Sequence, residues 1–124
     1  MSDWPADDLA TLAQGDELRI ASSRPDGSLR PWVRIWFVAV SDGLYVRSAY
    51  GPENGWYRRA KASGTGRIKV KGLERDVAFE TPDTSLNEAV TDAYRDKYAR
   101  YPAKIVATVV NDDAVRSTLR VVPR

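Results

Sequence analysis

The stretch Pro31 to Val40, PWVRIWFVAV, restricts the fold more than any other. In an extended chain alternate residues face opposite sides. Val33, Ile35, Phe37 and Ala39 then form one face, and Trp32, Arg34, Trp36, Val38 and Val40 the other. Both faces are largely apolar. Such a strand is expected in the middle of a structure, covered on both sides. Its neighbours follow from turn chemistry. Ser41-Asp42-Gly43 is a hairpin turn, and Leu44 to Tyr50 returns as a partner strand. Upstream, Glu17 to Ser23 reads as a short strand that ends in the turn Arg24-Pro25-Asp26-Gly27.

Two further strands, Gly66 to Val70 and Glu74 to Glu80, form a hairpin about Gly72-Leu73. A two-residue loop there sets Lys71 opposite Glu74, Lys69 opposite Asp76 and Arg67 opposite Ala78. Lys69 and Lys71 are thereby neutralised across the ladder. Thr118 to Val122 closes the chain as a last strand. Helices fit the connections. One starts at Asp3 before Trp4-Pro5, with Leu9, Leu12 and Ala13 as its apolar side and Gly15 as its stop. Another runs from Thr84 to Tyr101, capped by Asp83 or Thr84 and ended by Pro102. Lys104 to Val110 is a further apolar segment. The sum is a mainly β single domain over residues 1–124, an antiparallel barrel of about six strands with connecting helices.

Composition limits the chemistry. The 124 residues include no cysteine and no histidine. Thiolate chemistry, disulfides, His or Cys metal sites and a histidine general base are excluded. Any catalysis then comes from a cofactor, from carboxylates, or from Tyr, Lys and Ser; no metal site is expected. No apolar run approaches a membrane span and the N-terminus is acidic, so a cytoplasmic, soluble protein is expected. Net charge is only +2, yet its distribution is uneven. Arg47, Arg58, Arg59, Lys61, Arg67, Lys69 and Lys71 crowd between positions 47 and 71, against Glu53 alone. Such a zone suits a phosphorylated ligand or nucleic acid, or is an ordinary solvated face.

Within that zone lies Gly51-Pro52-Glu53-Asn54-Gly55-Trp56-Tyr57-Arg58-Arg59-Ala60-Lys61. Asn54 suits a helix N-cap, and the free amides that follow favour an anion. Arg58 and Lys61, three apart, share a helix face; Arg59 points elsewhere. Arg47 is close in sequence, and its fork suits phosphate oxygens. The run lacks the Gly-Lys-Ser/Thr ending of a P-loop. One of Trp56 and Tyr57 is expected to plug a core; the other is free to cover a flat ring. Tyr94, Tyr98 and Tyr101 form a helical stripe that suits a core. Lys97 beside them is a costly residue to bury, and suggests a cleft bordered by phenols.

The order of these parts resembles a known family. An Arg-x-Asp-Gly-x-Leu-Arg turn (Arg24 to Arg30) leads into an aromatic strand. An Asp-Gly hairpin and Leu-Tyr-Val-Arg-Ser strand follow, then a Gly-rich loop and "GWYRRA". With "DAYRDKYARYP" and "TLRVVPR", they are similar to the domain of unknown function 2255 family of bacterial proteins. That family looks like a branch of the flavin-binding split barrels, which include the deazaflavin-dependent nitroreductases. The resemblance implies a six-stranded FMN-binding split-barrel-like fold and a homodimer. It implies cofactor contacts at Arg30, Arg47, Ser48, Trp56, Tyr57, Arg58 and Lys61. It also implies a substrate pocket at Tyr94, Lys97, Tyr98 and Tyr101, with Tyr98 orienting or protonating substrate. The nitroreductase helix continues with Asn and Asn-Pro, whereas this chain has Arg58-Arg59-Ala60 and Ser63-Gly64.

The function expected first is an oxidoreductase that uses FMN or a deazaflavin coenzyme to pass a hydride to a small organic molecule. The second is a non-catalytic small-ligand-binding barrel. A nucleic-acid binder ranks third, since the net charge is near zero.

Overall fold

The computed structural model describes residues 4–41, 43–49 and 51–124. The expected helix start at Asp3, the turn residue Asp42 and the strand end at Tyr50 lie outside them. Six strands are present: β1 (Glu17–Ser22), β2 (Val33–Val40), β3 (Gly43–Val46), β4 (Thr65–Val70), β5 (Leu73–Glu80) and β6 (Leu119–Pro123). They close into an antiparallel barrel in the order β1-β2-β3-β6-β5-β4. The helices are α1 (Ala6–Ala13), α2 (Gly55–Ser63), α3 (Asn87–Lys97), α4 (Ala103–Val110) and α5 (Asp112–Arg116). A 3₁₀ turn, Thr84–Leu86, leads into α3, and the Asp83 carboxylate caps it by accepting from the Ser85 amide. Among the described residues no helix is long and apolar enough to cross a membrane.

β2 is covered on both sides at Phe37 and Val38, while Ala39, expected beside Phe37 on the inner face, is exposed. Phe37 belongs to the barrel interior with Leu18, Ile20, Leu44, Ile68, Val77 and Val121, and Val33 and Ile35 pack against it. On the other side Val38, with Trp36 and Val40 beside it, meets Tyr94, Tyr98, Val106 and Val109 from α3 and α4. The two cores fix the helices. α1 closes the barrel end where β1 begins: Leu12 and Trp4 enter the interior, and the Trp4 indole donates to the Val121 carbonyl at 2.9 Å. α2 closes the opposite end with Trp56, Tyr57 and Ala60. β1 and β4 approach closely there, since a Cβ at Gly66 would lie 2.2 Å from the Ala21 carbonyl.

The β4–β5 hairpin corrects the expected register. Val70 pairs with Leu73, so the loop is Lys71-Gly72. Both loop residues have positive φ, 50° and 83°, as the tightest two-residue hairpin requires, and glycine takes the second position. The pairing shifts by two places along β5, which keeps every side chain on its expected face. The partners change. Lys69 lies opposite Glu74 and Arg67 opposite Asp76. Arg67 reaches Glu74 at 2.6 Å and Asp76 at 2.5 Å. Hydrogen bonding to Arg67 holds the Glu74 carboxyl below the usual carboxylate range. Arg67 and Lys69, not Lys69 and Lys71, are the paired bases.

Candidate functional site

Two connections build the site. The β1–β2 turn is stiffened by its own side chains. Asp26 accepts from the Ser28 amide at 3.0 Å and hydroxyl at 2.6 Å, bonds that hold its carboxyl below the usual range. Arg24 donates to the Leu29 carbonyl at 2.7 Å, and the Arg30 amide donates to Ser22 at 2.9 Å. The turn therefore stands as a rigid wall beside α2. The second connection, Ala49 to Asn54, leads into α2, whose first turn offers its amides at Gly55 and beyond. Asn54 caps through its position; its side chain makes no capping bond.

Between the turn and α2 lies a cleft of about 810 Å³, lined by Ser23, Arg24, Arg30, Gly55, Arg58, Arg59, Ser63 and Thr65 among others. Four of its liners are arginines and none is a carboxylate. Arg58 and Arg59 are exposed and have no side-chain partner among the described residues. The Nε of Arg30 is buried without one. Arg59 folds back along its helix, so that its Nη1 lies 2.9 Å from where a Cβ on Gly55 would be. A cation is thus held at the positive end of the helix dipole, an arrangement that an anion would relieve.

A second cavity, about 380 Å³, is an apolar groove between β2, α4 and the start of α2. Val33, Ile35, Trp36, Ala49, Trp56, Ile105 and Val109 line it, with Asn54, Thr108, Arg34, Glu17 and Arg47 at its polar positions. Side chains, not open space, link it to the arginine cleft: Arg30 and Arg59 from the cleft meet Val33 and Trp56 from the groove around a void of about 10 Å³.

The expected site residues divide sharply. Arg30 and Arg58 line the cleft. Trp56 walls both the groove and the link, while Tyr57 sits in the core, edge-on to Trp56 at 6.2 Å between ring centroids. Lys61 does not line the cleft; its ammonium lies 5.9 Å from the centroid of the Tyr57 ring. Ser48 is fully buried; its amide donates to the Ser117 hydroxyl at 2.8 Å, and it lines neither cavity. Arg47 does not reach the cleft. It is 1% exposed, and its guanidinium donates to the hydroxyls of Thr118 and Thr91 (2.8 Å each) and the carbonyls of Val109 and Asn87 (3.0 Å each). Arg47 therefore ties α3, α4 and the approach to β6 together. Its fork is occupied by protein acceptors, and it lines the groove and not the arginine cleft.

The expected catalytic trio, Tyr98, Lys97 and Tyr94, sits between α3 and β2. Tyr98 Oη accepts from the Phe37 amide (3.1 Å) and lies 2.5 Å from the Asp16 carbonyl and 3.0 Å from that of Phe37, either of which its proton can reach. The Tyr98 ring stacks on Trp36 at 3.9 Å, within 4° of parallel. Tyr94 is buried with its hydroxyl 3.3 Å from the Trp36 carbonyl. Burial drives both phenol pKa values upward. Lys97 donates to the Phe37 carbonyl at 2.8 Å and lies 3.5 Å above the Phe37 ring. Desolvation brings its pKa down to about 8. Tyr101 stands beside Trp36, 4.9 Å between ring centroids. These groups fasten α3 to β2; none of them lines either cavity.

Sequence reasoning missed Arg24 and Arg59. Arg24 opens the same turn that ends with Arg30, which was a usable signal. Helix spacing assigned Arg59 to another face; its long side chain reaches back to Gly55 regardless.

Residues 8–121 match the model of a family described as an uncharacterized protein conserved in bacteria (DUF2255). The chain belongs to this family. No curated protein matches it significantly in sequence. In fold it is similar to an F420-H2 dependent reductase (FDR-A), with 14% identity and a TM-score of 0.62 over 86% of this chain and 93% of that one. It is also similar to a Listeria innocua protein assigned as a pyridoxamine 5′-phosphate oxidase, with 14% identity and a TM-score of 0.62 over 95% and 90%. A third similar structure is a domain-swapped dimer, with 12% identity and a TM-score of 0.63 over 94% and 92%. At such identities the likeness shows the fold, a six-stranded split barrel.

Proposed function

We propose that the chain is an oxidoreductase of the split-barrel class. In this reading it holds a flavin or deazaflavin cofactor with the phosphate end in the arginine cleft and the ring in the apolar groove. The observation that carries the reading is the adjacency of the two cavities, which share the wall formed by Arg30, Arg59, Val33 and Trp56. An arginine-lined cleft beside an apolar, tryptophan-walled groove suits a molecule with an anionic tail and an aromatic head. The residues present fit such a group: Arg30, Arg58 and Arg59 have donors to spare, and the Gly55 end of α2 adds backbone amides. The similarity in fold to an F420-H2 dependent reductase supports the same reading.

When bound, the cofactor supplies hydride transfer, which needs neither histidine nor cysteine from the protein. The protein's part is to grip the anion through Arg30, Arg58 and Arg59. Trp36, Trp56, Val33 and Ile35 exclude water from the ring's surroundings. Glu17, Asn54 and Thr108 are the polar groups available at the groove to orient a small organic substrate. Ile105 on α4, 42% exposed at the groove's rim, is where a second copy would cover the ring end. Similarity to a domain-swapped dimer supports a homodimer.

A second reading is a non-catalytic ligand-binding barrel. The observation favouring it is the locking of Tyr94, Tyr98 and Lys97 into the α3–β2 contact, which leaves the groove without a phenol. Titration with FMN and with a deazaflavin coenzyme, followed by tryptophan quenching, tests the first reading. Binding of one, with a hydride passed to a nitroaromatic or quinone acceptor, supports it. Binding without turnover across an acceptor screen moves the assignment to the second.

A further inference from the structure

The arginine cleft carries more positive charge than a single phosphate requires. A monophosphate is at most a dianion, and two forked arginines cover it. Here Arg24, Arg30, Arg58 and Arg59 converge on one cavity with no carboxylate in its lining. Asp26 is the acid on the turn; it faces Ser28 and lies outside the cleft wall, offsetting Arg24 at most. Three guanidinium groups then remain without a counter-charge, in a chain whose net charge is +2. Gathering them costs repulsion, and a ligand with several negative centres removes it.

The shape agrees with the charge. The cleft follows α2 from Gly55 at one end to Ser63 and Thr65 at the other. Nine residues of helix span about 12 Å, longer than one phosphate. The cations are spread along it. Arg59 lies over Gly55 at the helix start, and Arg58 stands beside it without a partner. Across the cleft the buried, unbonded Nε of Arg30 and the turn-anchored Arg24 face them. Ser23, Ser63 and Thr65 add hydroxyls at the far end. Thr65 Oγ1 and Ser23 Oγ are bonded to each other at 3.0 Å, and Ser63 Oγ donates to the Thr65 carbonyl at 2.9 Å, so that end is already ordered.

We infer that the cleft binds a diphosphate: two linked phosphoryl groups, one at the Gly55–Arg59 end of α2 and one between Arg58, Arg30 and Arg24. The inference rests on reading the cleft as an anion site. It narrows the ligand from a mononucleotide to a molecule carrying a diphosphate or an equivalent pair of phosphoryl groups.

Calorimetric titration of the purified chain with inorganic phosphate, pyrophosphate and citrate tests it. Pyrophosphate should bind at least about tenfold tighter than phosphate, since it engages an additional charge-assisted contact. Arg59→Ala should lower pyrophosphate affinity about tenfold and bring the ratio of pyrophosphate to phosphate affinity close to one. Arg59 is exposed, so that variant is expected to fold, and its thermal unfolding is recorded alongside. Equal affinities for phosphate and pyrophosphate would overturn the inference. So would citrate matching pyrophosphate, because a site reading charge alone is not a diphosphate site. The cofactor reading fails separately. A pyrophosphate preference without binding of FMN or a deazaflavin retains the diphosphate site and removes the flavin; FMN binding without that preference does the reverse.

Discussion

The cleft along α2 and the face between α3 and β2 contain similar residue types in opposite states. Each carries cations and lies near aromatic rings. On the α3 side the buried cation Arg47 has four protein acceptors, Lys97 has the Phe37 carbonyl, and the Tyr98 hydroxyl has two carbonyls and an amide within reach. On the α2 side Arg58 and Arg59 have none among the described residues, and a buried nitrogen of Arg30 is unbonded. A polar group satisfied inside a protein stabilises the fold; a polar group left open at a cavity is available to a ligand. Residue type alone would assign both regions to a site. Bonding separates them.

The sharpest way to break this comparison is to disturb Arg47. Arg47→Met leaves the carbonyls of Asn87 and Val109 and two hydroxyls in a dry site. Chain stability should fall by roughly 3 kcal/mol or more in urea unfolding. A loss within about 0.5 kcal/mol, the size of an ordinary surface change, would show that the buried guanidinium is not a structural tie. Next in size is the cleft itself. Arg30→Ala combined with Arg58→Ala should weaken FMN or pyrophosphate binding by about a hundredfold, at about tenfold per charge-assisted contact. Arg58→Ala alone should leave unfolding within about 0.5 kcal/mol of the parent. An unchanged anion affinity in the double variant would join the two regions again.

Tyr98→Phe sharpens the comparison from the other side. It removes a hydroxyl that links β2 to the Asp16 carbonyl, so a loss of about 1–2 kcal/mol is expected with anion affinity intact. Lower affinity with unchanged stability would return Tyr98 to the site. The smallest effect belongs to Lys97. Its folded pKa of about 8 lies below its ordinary 10.5. Between those values the unfolded chain binds more protons, so stability from this group rises with pH. Asp16 opposes the shift and Arg100 adds to it, and desolvation outweighs both. Above pH 10 the raised phenols Tyr94 and Tyr98 pull stability the other way. The difference in stability between the parent and Lys97→Met should therefore grow from pH 8 to pH 10. A flat difference would mean that Lys97 is solvated.

The barrel was legible because its strongest signals are local. Alternation in Pro31 to Val40 identified a strand covered on both faces, and turn residues placed its partners. The hairpin register was not legible, because a single glycine at position 72 fits either slot of a two-residue loop. α4 was read only as an apolar segment: Ile105, Val106, Thr108, Val109 and Val110 favour strands by type. Its helical state comes from packing Val106 and Val109 onto the α3 core. α5 was missed, although Asn111 caps it by accepting from the Ala114 amide at 2.8 Å.

For the site, Arg58 and Trp56 were within reach of sequence reasoning, since a helix start announces itself, whereas Arg30 came from the family resemblance. The fate of Arg47 was not. Its acceptors lie 40 to 71 positions away along the chain, and nothing local distinguishes a tied arginine from a free one. Tyr98 followed the same rule, with its strongest partner, Asp16, 82 positions distant.

The central claim is that the open arginines along α2, and not the locked groups on α3, bind the ligand's anionic end. It is tested most directly by tryptophan-quenching titrations with FMN and a deazaflavin coenzyme on three proteins: the parent, Arg30→Ala/Arg58→Ala and Tyr98→Phe. The account predicts saturable binding of one cofactor by the parent and by Tyr98→Phe, and about a hundredfold weaker binding by the arginine variant. Binding that survives in the arginine variant but disappears in Tyr98→Phe would contradict it.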